Sequence, residues 1–366
     1  MVRRKVPLFP VLAVLLALAL TASCGGTQQP PAAKPETPTT PEPQLSDTLN
    51  VFNWTEYLPQ EAIDKFQEEF HVKVNYDTYS SNEEMLAKLQ AGASGYDLVV
   101  PSDYMIEVMI KQGLLEKIDL KNIPNFKNLG KQFVNLYYDP GNQYSVPYMW
   151  GTDAIAYNTK HVKKAITSWN DLLDSKYKGK IVAVDDSRVI PGIALKALGY
   201  SVNETDPAKL QEAKEWLKKF VPQVKAWDSD SPKTLLISEE AWIGAIWGGE
   251  AALAMNENPN ITYVIPKEGG IIWQDNMAIP KGAPHKYTAE VFINFILRPE
   301  IAAMIAKAYP YGSPNEACWS LLPPEVRNNN ASYPPSADLD RCEWSKDVGQ
   351  ATQLYDQIYT EVKSGK

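Results

Sequence analysis

The sequence contains few of the residues that build metal sites. Its 366 residues include only three histidines, His71, His161 and His285, and these lie far apart without the spacing of zinc ligands. Beyond residue 20, no apolar run approaches the roughly 20 residues that a membrane-spanning helix requires. These absences argue against a zinc site and against membrane-spanning helices after the N-terminus, and we expect no cofactor.

Positive charge is also in deficit, which gives a net charge of -8 and a pI near 5.2. Such a protein is a poor partner for nucleic acid or an anionic membrane surface, but it suits a cationic ligand. The sequence has no G-x-S-x-G elbow, phosphate-binding glycine loop or dinucleotide fingerprint. It therefore favours a binding protein over an enzyme. Paired carboxylates near tryptophans leave a glycosidase as the enzyme alternative.

The N-terminus has the layout of an export signal. Basic residues at positions 3–5 precede an apolar run over 6–20, which leads through small residues into Cys24. We predict a signal peptide over 1–23 and a lipid-anchored, periplasmic or cell-surface protein attached through Cys24. A plain signal peptide followed by an incidental cysteine is the alternative. The proline-rich residues 24–46 are typical of an extended tether.

Two further cysteines, Cys318 and Cys342, occur late in the chain. An even pair in an exported protein predicts a disulfide, here closing a loop of about 25 residues. In the loop-entropy model such a bond would stabilise the fold by about 3 kcal/mol.

After the tether, strand and helix patterns alternate. Residues 48–52 read as a strand, a helix begins near Pro59, a second strand covers 72–76, Ser81 caps a second helix, and 96–100 read as a buried strand. This βαβαβα order predicts an α/β fold with an open parallel sheet and helices on both faces.

Polar and aromatic side chains follow these three strands. Trp54 and Tyr57 follow the first, Ser81 follows the second, and Ser102 with Asp103 follows the third. Ser102 is also placed to cap the next helix. Because ligands of such sheets bind beyond the carboxyl ends of the strands, we expect a binding site at this edge.

Later segments add residues of the same two kinds. The candidate set comprises the aromatic residues Trp54, Tyr57, Trp247, Trp273 and Tyr311 and the carboxylates Asp103, Asp186 and Asp275. A linear polyamine needs carboxylates for its ammonium groups and flat apolar walls for its methylenes, and tryptophan also attracts the cation. The alternative interpretation, core tryptophans and capping aspartates, is the one that we favour for Asp185.

Six segments carry a family resemblance: Asn53–Tyr57, Tyr96–Ser102, Lys178–Asp186, Pro266–Asp275, Asn294–Pro299 and Trp344–Gly349. They resemble the spermidine/putrescine-binding proteins of ABC importers, over nearly the whole chain after residue 47. The resemblance implies a two-lobed, type II-like periplasmic-binding-protein fold, in which each lobe is a mixed sheet with flanking helices and the ligand cleft lies between them. The implied lobes are 47–151 with 276–318 and 152–275 with 319–366, which close by a hinge.

The resemblance also assigns roles to single residues. Trp54, Tyr57, Trp247, Trp273 and Tyr311 would line an aromatic box, Ser102 and Tyr104 would face the ligand, and Asp186 and Asp275 would hold ammonium groups. It implies a monomer that captures a polyamine without chemistry and delivers it to permease subunits in the membrane.

Two positions depart from the spermidine-binding pattern. Val189 stands where that pattern has a glutamate, and Ser345 stands where it has a glutamine. Asp103 would compensate for the lost carboxylate if it points inward. The departures make putrescine a candidate beside spermidine. Another small cation, a sugar, or a purely adhesive lipoprotein without a ligand remain open alternatives.

Overall fold

The computed structural model describes residues 43–92 and 95–365, whose ten strands form one mixed sheet with flanking helices. The strands are β1 (Thr48–Trp54), β2 (Lys73–Tyr79), β3 (Leu98–Val99), β4 (Ser145–Asn158), β5 (Ile181–Ala183), β6 (Val224–Trp227), β7 (Ile243–Trp247), β8 (Ile261–Val264), β9 (Ile271–Ala278) and β10 (Glu343–Trp344). The helices are α1 (Gln60–Phe70), α2 (Asn82–Gln90), α3 (Asp103–Lys111), α4 (Val189–Ala197), α5 (Pro207–Phe220), α6 (Lys233–Ile237), α7 (Gly248–Glu257), α8 (Lys286–Ile296), α9 (Pro299–Ala308), α10 (Pro324–Arg327), α11 (Ser336–Leu339) and α12 (Thr352–Lys363).

The sheet consists of two parallel parts joined by an antiparallel pair. Its strand order is β2-β1-β3-β9-β4-β7-β5-β6, with β10 beside β9 and β8 beside β4. At one end β1 lies parallel to β2 and β3, and at the other end β5 lies parallel to β6 and β7. The long strands β4 and β9 run antiparallel between these parts. In both parallel parts, therefore, the carboxyl ends of the strands lie towards the middle of the molecule.

Two large hydrophobic cores flank the antiparallel pair. The first draws its buried residues from 49–149 and 277–311, and the second from 154–265 and 331–362. Aromatic side chains such as Phe66 and Phe292 fill the first core, while Trp169 fills the second. The chain thus passes from the first core to the second, returns to the first, and ends in the second. The lobe boundaries given above stay a prediction.

The predicted alternation of strands and helices after residue 47 is confirmed. Helix α1 follows Pro59 and buries Ile63 and Phe66. The Ser81 hydroxyl caps α2 by accepting a hydrogen bond from the backbone N–H of Glu84 at 3.1 Å. Strands β1, β2 and β3 follow in the expected order, so local pattern and capping chemistry determine this part of the fold.

The longest strand, β4, was not predicted. All 14 of its residues are buried, so it has no alternation of apolar and polar side chains. The segment was interpreted instead as a boundary near residue 151. A strand buried on both faces lacks the periodic signal from which strands are recognised.

The predicted disulfide is wrong, because Cys318 and Cys342 are both free. Cys318 is buried in a small separate cluster with alanines of α9. Cys342 packs against the second core and donates to the Asp338 carbonyl at 3.5 Å. The two thiols therefore lie in different clusters, and the count of cysteines alone could not reveal this.

The signal peptide, Cys24 and nearly all of the tether lie outside the described residues. Within 43–92 and 95–365, no helix is both long and apolar enough to cross a bilayer. In the same ranges, no group of three or more His, Cys, Asp or Glu side chains is arranged to hold a metal ion.

Candidate ligand-binding site

A cavity with about 570 Å³ of empty space lies where the two cores meet. It opens at the carboxyl ends of β1 and β7 and is crossed by β9. Its lining is Trp54, Tyr57, Asn82, Ser102, Tyr104, Asp153, Asp186, Arg188, Val189, Trp247, Ile271, Trp273, Asp275, Tyr311 and Ser345.

Asp275 of β9 is a buried carboxyl group held only by hydroxyl groups. The Tyr57 hydroxyl donates to Oδ2 at 2.7 Å, and the Ser102 hydroxyl donates to Oδ1 at 2.6 Å. Burial raises the pKa of Asp275 to about 7, and these two hydrogen bonds oppose the rise only in part. Among the described residues, no cation contributes to lowering this pKa. The site therefore favours a positive charge that the chain itself does not supply.

Ser102 serves this carboxylate and not the helix that follows it. Although Ser102 precedes α3, its side chain makes no capping hydrogen bond to that helix. Instead, the Asn82 side-chain amide donates to the Ser102 hydroxyl at 3.0 Å, and Ser102 donates onward to Asp275. Ser102 therefore occupies the predicted N-cap position, but its hydroxyl orients a carboxylate in the cavity and does not cap the helix.

Asp186 is held in a different way, at the start of α4. Its Oδ1 accepts the backbone N–H groups of Arg188 at 2.7 Å and Val189 at 2.8 Å. Burial raises its pKa, while these N–H groups and the Arg188 charge oppose the rise. Asp185, for which we favoured a capping role, instead forms an exposed ion pair with Lys363 at 2.5 Å. The capping carboxylate is thus Asp186.

Aromatic rings form the walls of the cavity in two groups. Tyr311 packs against Tyr57 and Trp273 with ring centroids 5.3 and 5.6 Å apart, and Trp54 meets Trp247 edge-on at 6.1 Å. Such rings offer flat apolar surfaces and attractive faces for a cation.

Two glycines make room for these rings. A Cβ atom at Gly151 would lie 2.7 Å from the Trp273 ring, and one at Gly249 would lie 2.5 Å from the Tyr311 ring. Both glycines permit a close approach of ring to backbone. The positions of the Trp273 and Tyr311 rings in the cavity wall therefore depend on these two glycines.

Nine of the ten residues predicted to bind ligand line this cavity, and the exception is Asp103. Asp103 is fully buried, and its Oδ1 accepts a hydrogen bond from the backbone N–H of Tyr104 at 2.8 Å. Its side chain does not line the cavity. The suggestion that Asp103 compensates for Val189 is therefore wrong. Both Val189 and Ser345 do line the cavity.

Sequence reasoning missed four lining residues, Asn82, Asp153, Arg188 and Ile271. Asn82 and Arg188 adjoin strand-end motifs that had been noted, so position alone could have suggested them. Asp153 offered a clearer signal, since it is a carboxylate within an otherwise apolar stretch of a buried strand. Ile271 carries no feature that separates it from core residues.

Residues 61–333 match the family of bacterial extracellular solute-binding proteins. The spermidine/putrescine-binding periplasmic protein of Salmonella typhimurium is 43% identical over 323 residues, which cover 88% of this chain and 93% of that protein. The chain belongs to the bacterial extracellular solute-binding proteins. Its relative in Salmonella is a periplasmic binding protein, and the family is extracellular.

Solved structures confirm the fold of this solute-binding protein. A protein of Listeria monocytogenes, described as a candidate spermidine/putrescine ABC transporter, superposes with a TM-score of 0.85 at 38% identity, covering 88% of this chain and all of that one. The Tp0655 lipoprotein of Treponema pallidum superposes with a TM-score of 0.77 at 33% identity, covering 87% of this chain and 100% of that one. The predicted periplasmic-binding-protein fold is thus confirmed.

Proposed function

We propose that this protein captures a polyamine, putrescine or spermidine, in the cavity between its two cores. It then delivers the ligand to the permease of an ABC importer without changing it chemically. The observation that carries the proposal is the buried Asp275 carboxyl group, which has two hydroxyl donors and no cationic partner. An ammonium group is the simplest ligand that satisfies it.

The walls of the cavity support the same ligand class. A polyamine alternates cationic groups with methylene runs, so it needs carboxylates and apolar surface in one narrow space. Trp273 and Tyr311 stand beside Asp275 and provide that surface. Burying the methylenes against rings contributes about 0.8 kcal/mol for each CH₂. A sugar would also stack on these rings, but it would leave Asp275 without a counter-charge.

Calorimetry on the purified protein, stripped of copurified ligand, tests the proposal. The titrants are putrescine, spermidine and spermine, each at low and at high salt. We expect submicromolar to micromolar binding of at least one, or about -8 kcal/mol or stronger, which weakens as salt is added. Salt-independent binding of a neutral sugar, or no binding of the three amines, would contradict it.

We infer that capture involves closure of the two lobes around the cavity. Contacts already link residues that belong to different cores. Lys233 of α6 pairs with Glu56, which follows β1, and Lys111 of α3 pairs with Asp347 at 2.9 Å. We expect small-angle scattering to show a smaller radius of gyration when polyamine is added, and a monomer with or without it. An unchanged radius would contradict closure.

We also propose that Cys24 carries a lipid that anchors the protein at the membrane. The small residues before Cys24 and the proline-rich stretch after it support this, as does the likeness to a lipoprotein of Treponema pallidum. Labelled fatty acid should be incorporated into the native protein and not into Cys24→Ser. Equal labelling of both would contradict the anchor.

A further inference from the structure

Asp153 is a second buried carboxyl group in the cavity that lacks a cationic partner. It lies within β4, between Ile271 of β9 and Trp247 of β7, and only 1% of its surface is exposed. Oδ1 accepts a hydrogen bond from the Trp273 indole N–H at 3.0 Å. Oδ2 has no hydrogen-bond partner within the described part of the chain. A buried acceptor without a partner costs about 1–3 kcal/mol. Because Asp153 lines the cavity, a ligand bound there would supply the missing partner.

The charges around Asp153 also indicate that a cationic ligand binds there. The charged groups that act on its pKa are Asp186 and Asp275, both carboxylates that line the same cavity. Burial raises the pKa of Asp153 well above its usual range, and these two acids raise it further. Asp186 is compensated by Arg188 and by backbone N–H groups, but Asp153 and Asp275 repel each other unless a cationic ligand lies between them.

Asp153 and Asp275 lie on opposite sides of Trp273. Residues 271, 273 and 275 share one face of β9, since side chains alternate along a strand. Asp153 is paired with Ile271, four residues from Asp275, which corresponds to about 13 Å along the strand. A ligand with two separated cationic groups fits this backbone separation, with one group at each carboxyl group.

We propose that Asp153 binds the second ammonium group of a linear diamine or polyamine whose first ammonium group is bound by Asp275. This inference rests on the proposed function and specifies it. Asp153 then supplies a carboxylate in a cavity where Val189 offers none. The two carboxyl groups that recognise the ligand are therefore those of Asp153 and Asp275, with the Trp273 ring between them.

The alternative is that Asp153 only positions the Trp273 ring. The variants Asp153→Asn and Asp153→Ala separate the two roles. The amide oxygen of asparagine can still accept the indole N–H, so a positioning role predicts normal binding in the Asn variant and weak binding in the Ala variant. A charge role predicts weak binding in both.

The experiment is calorimetric titration of both variants and the wild-type protein with putrescine and spermidine at pH 7.5, with thermal melting to verify folding. Asp185→Asn is the matched control, because it removes the same charge from an exposed residue that does not line the cavity. We expect at least 30-fold weaker binding for Asp153→Asn and Asp153→Ala, and less than threefold for the control.

A second readout is the number of protons released on binding, measured by repeating the titration in phosphate and Tris buffers. Wild-type protein should release more protons than Asp153→Asn. If the wild type binds polyamine and Asp153→Asn binds within threefold of it, with equal proton release, the assignment of Asp153 is overturned while the proposed function stands. If the wild type binds neither amine, the proposed function fails and this inference fails with it.

Discussion

Asp186 and Asp275 look alike in the sequence, but their surroundings in the structure indicate different roles. Backbone N–H groups at the start of α4 and the Arg188 charge already compensate Asp186. Asp275 has only the hydroxyl groups of Tyr57 and Ser102. A carboxylate that caps a helix has its charge balanced by the fold, whereas one held by hydroxyl groups alone is left for a ligand to balance.

The largest effect should therefore follow from Asp275→Asn. The amide keeps the shape and can still accept one hydroxyl hydrogen bond, but it cannot balance an ammonium group. Removing one member of a buried charge pair costs about 3–5 kcal/mol, so we expect putrescine to bind at least a hundredfold more weakly by calorimetry. A change below fivefold would contradict the role of Asp275.

The same variant should stabilise the ligand-free protein at pH 8. A folded-state pKa of about 7 lies well above that of an unfolded Asp, so stability from the bound proton is present at low pH and is lost as pH rises towards 7. The lost part is at most about 4 kcal/mol. Thermal melting at pH 8 should show Asp275→Asn above the wild type, and the gap should narrow towards pH 5.

Trp273→Ala should have the next largest effect on binding. The ring covers the methylene run and offers its face to a cation, a combination worth about 2 kcal/mol, so we expect roughly 30-fold weaker binding. Tryptophan fluorescence would detect ligand in the wild type, and calorimetry would measure the variant. Retention of wild-type affinity would show that the ligand does not lie on this wall.

Lowering the pH should weaken polyamine binding, because it protonates Asp275. Because the ligand prefers ionised Asp275, affinity should fall by about tenfold per pH unit as pH drops below 7. Asp103 and Asp153 also act electrostatically with Asp275, so the Asp275→Asn variant serves as the control that assigns the slope. In Asp275→Asn the slope should be shallower by about one proton; an unchanged slope would assign the titration to another acid.

The smallest effect on binding should come from Asp186→Asn, which tests directly whether Asp186 and Asp275 have different roles. Asparagine caps a helix about as well as aspartate, and the lost charge was already balanced by the helix. We expect binding within tenfold of the wild type and little change in melting temperature. A loss as large as that of Asp275→Asn would mean that both carboxylates bind ammonium groups equally.

Local patterns in the sequence predicted much of the fold, and strand-end positions predicted most of the cavity. Trp54, Ser102 and Trp247 could be placed because parallel strands bring their carboxyl ends together. The orientation of a side chain was not predictable in the same way. Asp103 adjoins Ser102, yet its carboxyl group accepts the backbone N–H of Tyr104 and does not line the cavity, which its position in the sequence does not reveal.

Long-range pairing was the other missing element. Asp153 and Trp273 are hydrogen-bonded although they lie 120 residues apart in the chain. Only the register between β4 and β9 brings them together. The free cysteines illustrate the same point, since their number suggested a bond that the packing of α9 and the second core does not allow.

A crystal structure of the protein grown with putrescine would test the central claim most directly. The account predicts one ligand nitrogen about 2.7–2.9 Å from a carboxylate oxygen of Asp275, with the methylenes along the Trp273 ring. A ligand bound elsewhere in the cavity, with Asp275 still contacting only Tyr57 and Ser102, would contradict it.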